Sequence, residues 1–188
     1  MKWLLVVGGM LVAIILIVVI VGALLPRDHV ASVSARVAGT REAIWTAITD
    51  VANQPTWRDG VKRVELAAPI DGKAAWVEHS SNGSILMVAD HSEPPRRFVT
   101  RIADTKLPFG GSWEFVLEPA GADAGANAGA DASTVTITER GSVYNPIFRF
   151  MSRFVFGHTA TMDAYLRSLG RKFGRATTPT VVATTKSP

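Results

Sequence analysis

The sequence predicts an α+β chain: one apolar helix, then an antiparallel sheet curved around a long C-terminal helix. Three observations carry that prediction. No charged residue interrupts the run from Trp3 to Leu25, six strand-like segments lie between residues 61 and 141, and residues 145–174 repeat apolar side chains at helical spacing.

The apolar run comes first. At ~1.5 Å per residue, Trp3 to Leu25 reaches about 34 Å, enough to cross a hydrocarbon core about 30 Å thick. Lys2 and Trp3 mark one interface, and Pro26 and Arg27 the other. Val21 and Ala23 offer a small-residue cleavage pattern, but an export signal has an apolar core of only about 7–15 residues. The run therefore reads as a retained single-pass anchor over residues 1–26. Arg27, Arg36 and Arg41 argue for a domain on the inner side under the positive-inside rule. The short basic start before a long apolar run resembles an uncleaved export signal, and it places the domain on the outer, extracytoplasmic side.

Beyond the anchor, Val33, Ala35 and Val37 alternate with Ser32, Ser34 and Arg36, which predicts a half-buried strand over 29–39. Thr40 then supplies an N-cap hydroxyl and Glu42 a favourable first-turn charge, starting a helix with Ile44, Trp45 and Ile48 inward. Asn53, Gln54 and Pro55 end it, and TWRDG makes a short turn. Strands follow at 61–68, 74–79, 84–91, 96–104, 112–119 and 133–141, with Asp71–Gly72 and Asn82–Gly83 as turns. The Ala, Gly and Asp repeats of 120–132 have nothing to bury and predict a mobile hairpin loop. Residues 175–188 read as a disordered tail. A helix over 145–174, entered through Pro146, closes the order.

That order resembles the helix-grip fold of the START-like, or SRPBCC, superfamily, which includes polyketide cyclase/dehydrase and lipid-transport proteins. TREAIWTAITDVANQPTWRDGVKRVE is similar to the superfamily's first helix pair and second strand. LPFGGSWEF and TITERGSVYNPIFRFMSRFVFG are similar to later strands and the helix entry in its membrane-anchored members. The resemblance covers residues 29–174, within a domain drawn at 27–174. It implies a cavity between sheet and terminal helix that holds lipids or other apolar molecules, and in some members a cyclisation or dehydration reaction.

The charge balance, +4, suits an anionic lipid surface, but the basic residues are scattered and no nucleic-acid motif accompanies them, so nucleic acid is not expected as a partner. With no cysteine there is no disulfide, thiolate nucleophile or cysteine metal cluster. No phosphate-binding loop, dinucleotide fingerprint or HExxH is present, and the four histidines lack metal-ligand spacing, so neither metal nor cofactor is called for.

Candidate ligand contacts come from the apolar faces. On a helix over 145–174, His158 falls in a stripe with Met151, Phe154, Met162 and Tyr165. It is either a core histidine bonded to a carbonyl or to Tyr165, or an imidazole presented to a ligand as a proton shuttle. By alternation Glu78 shares a face with Trp76, and Glu139 with Val135 and Ile137. A carboxylate there needs a partner; the alternative is a strand end that reaches solvent, Arg149 or Arg153. Trp57, Trp76 and Trp113 serve as cavity walls or as ordinary core. The loop 105–112, with Leu107, Pro108 and Phe109 at its tip, is a gate, a membrane-touching tip or a plain connection. The preferred function is binding of an apolar ligand, lipid or lipid-like, beside the bilayer. The rivals are an enzyme using His158 with Glu78 or Glu139, and an interaction domain with a closed core.

Overall fold

The computed structural model describes residues 2–120 and 132–182. The repetitive Ala/Gly/Asp segment read as a mobile loop lies, apart from its ends, outside those residues, as does the end of the chain beyond Val182.

Helix α1, Lys2–Leu24, is long and apolar enough to cross a membrane. Almost all of it stands exposed, and only Gly22, in its last turn, is buried. The rest is α+β. One eight-stranded sheet runs in the order β2-β3-β4-β5-β6-β7-β1-β8. Its strands are β1 Asp28–Ala38, β2 Val61–Ile70, β3 Lys73–Ser80, β4 Gly83–Glu93, β5 Arg97–Ile102, β6 Phe109–Pro119, β7 Ala132–Val143 and the short β8 Thr180–Val182. The alternation in the sequence is realised in the register: Val33 faces Ile137 and Ala35 faces Val135 across β1 and β7, while Phe115 faces Ile137 across β6 and β7.

Helix α2, Arg41–Thr49, starts where its cap predicts, with Thr40 Oγ1 accepting from the Ala43 amide at 3.2 Å. A 3₁₀ segment, Val51–Thr56, follows. The C-terminal segment is not one helix. It divides into α3, Pro146–Met151, a π-helical turn, Ser152–Phe156, and α4, Ala160–Lys172. Asn145 caps α3 by accepting from the Ile147 and Phe148 amides. The break falls at Gly157, whose φ of 72° and ψ of 171° belong to a region open essentially to glycine alone.

The two halves pack on different partners. Helix α4 buries Met162, Tyr165, Leu166 and Leu169 against the sheet and α2. Each fully buried aliphatic side chain contributes about 1.5–3 kcal/mol relative to exposure. Helix α3 instead lies on α1: a Cβ at Gly22 would collide with the carbonyl of Pro146. Arg149, buried in that contact, donates from Nη1 to the carbonyls of Ala23 and Leu25 at 3.3 and 2.9 Å, and from Nη2 to Tyr144. A cation on the last carbonyls of α1 is favoured by the helix dipole.

Residues 175–182, expected as part of a disordered tail, run back along the domain. Thr177 donates to the Arg36 carbonyl at 2.6 Å, and β8 pairs antiparallel with β1. The signal was weak in sequence because β8 completes an existing edge and buries none of its own side chains.

Two ends of the grip follow from this layout. At one, β1 and β7 meet α1 near Asp28 and Val143. At the other, β1 ends beside Phe173, which closes on Gly39. Val37, Ile44, Ile48, Leu117 and Leu169 are buried in the packing around α2.

Candidate functional site

Polar side chains on the concave face gather towards the α1 end, in two clusters. The first is built on Arg58, from the turn after the 3₁₀ segment. Its Nη1 donates to both oxygens of Glu78 on β3 at 3.0 Å and to Gln54 Oε1 at 2.8 Å. Trp76 Nε1 donates to Glu78 at 3.1 Å. The side chains of Arg58 and Glu78 are only 17% and 14% exposed, so each charge depends on the other for compensation. The guanidinium also stands over the rings of Tyr165 and Trp113, at 5.0 and 6.0 Å from their centroids, a cation–π arrangement.

The second cluster joins β1, β6, β7 and the turn before α4. His29 Nε2 lies 3.0 Å from Glu139 Oε1, while Trp113 Nε1 donates to Glu139 Oε2 at 2.8 Å. The His29 ring stacks on His158 with centroids 4.0 Å apart, and His158 Nδ1 lies 3.3 Å from Ser152 Oγ. Gly141 permits this, because a Cβ there would run into the His29 ring and the Glu139 carboxylate. Burial holds the His158 imidazole below its ordinary pKa; nearby His29 and Arg153 push the same way, and Glu139 opposes them.

Tyr165 stands between the clusters. Its ring meets Trp57, Trp113 and Phe115 at centroid distances of 5.4, 5.9 and 5.3 Å. Burial raises its phenol pKa, so it is a neutral donor, and its buried Oη has no hydrogen-bond partner among the described residues. An unpaired buried hydroxyl costs about 1–3 kcal/mol, which a ligand oxygen in reach would offset.

The residues singled out from sequence distribute unevenly. Glu78 and Glu139 point inward, each with a partner other than Arg149 or Arg153. Trp76 and Met162 are buried; Trp57 and Trp113 are half-buried against the core. Met151 and Phe154 lie on the α3 and π-turn segment, and Phe154 is exposed. His158 is on no helix; it touches His29 and Ser152, not Glu78. Ser168 Oγ on α4 accepts from the Asp59 amide at 3.2 Å.

Three participants escaped the sequence reading. In sequence Arg58 reads only as part of the TWRDG turn; Gln54, four residues earlier, accepts from its guanidinium. His29 opens the predicted strand 29–39 and shares the inward parity of Ala31, Val33 and Ala35. Tyr165 reads in sequence as part of the apolar stripe, and nothing in a sequence marks an unpartnered hydroxyl. Among the described residues no group of three or more His, Asp or Glu is placed to hold a metal.

A curved antiparallel sheet gripping a helix, with two polar clusters on its inner face, defines a helix-grip protein. The chain belongs to the family described as polyketide cyclase / dehydrase and lipid transport, whose sequence model matches residues 28–174. Similar solved structures include a START superfamily protein from Mycobacterium smegmatis, 14% identical, with a TM-score of 0.58 over 78% of this chain and 97% of that one. Norcoclaurine synthase from Thalictrum flavum, solved as a point mutant with a transition-state analogue, is 11% identical, with a TM-score of 0.58 over 78% and 94%. The di-domain ARO/CYC StfQ from the steffimycin biosynthetic pathway is 12% identical, with a TM-score of 0.57 over 79% and 50%. At these identities the likeness is one of fold. Comparison with curated protein sequences finds no match.

Proposed function

We propose that this chain is a single-pass membrane protein whose grip holds an apolar, lipid-like molecule by one oxygen-bearing end. The supporting observation is the unpartnered hydroxyl of Tyr165, buried among aromatic rings and flanked by Arg58–Glu78 and by His29–Glu139–His158. Sites of this kind pair apolar walls with a few polar groups that fix orientation. Trp57, Trp76, Trp113 and Met162 supply the walls, Glu78, Glu139 and His158 the polar frame, and Met151 and Phe154 the approach from α3. The family's description supports a lipid or polyketide as the ligand class. The anchor holds the mouth beside a bilayer where such molecules concentrate, with the domain on the outer side.

A second reading, acid–base chemistry, rests on the His29–Glu139 pair and the stacked His158. It differs from the enzyme expected from sequence, because Glu78 is clamped by Arg58 and only Glu139 shares a cluster with His158.

The test is photo-labelling of the full chain in nanodiscs with a diazirine-bearing fatty acid, followed by peptide mapping. The proposal expects labels on peptides carrying Trp57, Trp113 and Tyr165, competed by unlabelled fatty acid and reduced in Tyr165→Phe. Labelling confined to α1 and residues 144–156 would show lipid contact without a grip ligand, and would refute it.

A further inference from the structure

The segment from Tyr144 to Phe156 is inside out. Its arginine at 149 is 8% exposed, while Phe148, Phe154 and Phe156 are 49%, 59% and 64% exposed. Val155, Ile147 and Tyr144 are exposed beside them. A soluble surface seldom gathers so many large apolar side chains without a partner to cover them. The position of the segment identifies the partner. Pro146 touches Gly22, and Arg149 binds the carbonyls of Ala23 and Leu25, so α3 sits against the last turn of the apolar helix. That turn is where α1 would leave the hydrocarbon.

We propose that residues 144–156 are a second membrane contact, lying in the headgroup and outer acyl region next to the exit of α1. This rests on the reading of α1 as an anchor. Interfacial segments bury their apolar side chains about 5–10 Å deep and keep basic groups at the phosphates; exposed Arg153 takes that place here. The loop before β6 joins the same surface: the Tyr144 amide donates to the Pro108 carbonyl at 2.8 Å, beside half-buried Leu107 and Phe109. His158 bonds to Ser152 within this segment, so the polar mouth of the grip opens at the lipid boundary and not to bulk water. A ligand would exchange directly with the bilayer.

The chain has no cysteine, so single cysteines accept an environment-sensitive NBD label without background. Phe148→Cys, Phe154→Cys and Phe156→Cys are compared with Ile15→Cys in α1 and Leu66→Cys on the exposed edge of β2. The full chain is placed in phosphatidylcholine vesicles containing a minor share of phosphatidylglycerol. Nitroxide lipids should quench the three phenylalanine positions by more than half, as they quench position 15, and iodide should reach only position 66. Lipid quenching at 15 with iodide quenching at 148, 154 and 156 would overturn the inference and leave the anchor standing. Iodide quenching at 15 as well would overturn the anchor, and the inference with it.

Discussion

The residues that matter most here are polar groups held in apolar company. Arg58 and Glu78 are each nearly desolvated, and removing either partner would leave a charge that burial penalises by several kcal/mol, roughly 3–5 in well-buried pairs. Such a pair adds little net stability over an apolar one, so its value lies in the fixed direction it gives the guanidinium over Tyr165 and Trp113. His158 makes the testable case. Burial, and then His29, depress its pKa against the opposing pull of Glu139, so the folded chain binds a proton there less readily than the unfolded chain. Stability from this residue is therefore complete above the ordinary imidazole value of about 6.5 and is lost as pH falls below it. Denaturation midpoints of the full chain in detergent should drop on acidification through that range. The drop should shrink in His158→Asn, where an amide can still face Ser152. An unchanged slope in the variant would assign the acid sensitivity to another group. None of this was readable from spacing alone, because the His29–His158 stack joins residues at opposite ends of the domain.

At the scale of elements, the sheet was legible almost throughout and the terminal helix was not. Period-two alternation and the Asp71–Gly72 and Asn82–Gly83 turns located the strands because each buries one face, which constrains the sequence directly. The apolar stripe over 145–174 was misleading for a physical reason: Ile147, Phe148, Phe154 and Val155 are apolar towards α1 and the outside, whereas Met162, Leu166 and Leu169 are apolar towards the sheet. A helical wheel superimposes the two faces. The marker of the break was Gly157, followed by Thr159 as the start of a new helix. With φ 72° and ψ 171°, an alanine at 157 would be strained although its Cβ meets nothing within 4 Å. Gly157→Ala should cost about 1–3 kcal/mol in unfolding experiments. Asparagine, which relieves left-handed helical positions, should recover none of it, because this ψ lies outside that basin. Equal stability of both variants with the parent would mean that α3 and α4 can run as one continuous helix.

Taken whole, the molecule combines a packed core with a segment that lies outside it, and the two are held by different contacts. Ile44, Leu117, Val135 and Leu169 tie α2, β6, β7 and α4 into one core. Residues 144–156 contribute nothing to that core and hang on α1 through Gly22 and Arg149. Regions with few buried contacts open locally at lower free energy than the global transition. Hydrogen exchange of the full chain in detergent should therefore find the slowest amides in β1, β6, β7 and the C-terminal half of α4, with 146–159 exchanging far sooner. Arg149→Met removes hydrogen bonds from a charged donor, and the loss of even one such bond, worth about 1.5–3 kcal/mol, should quicken exchange in 144–156 at least roughly tenfold. The β1, β6 and β7 amides should keep their rates, because no bond of Arg149 reaches them. If those strands quickened in step with α3, the chain would be a single cooperative unit, and the division between the packed core and a separately held segment 144–156 would fail.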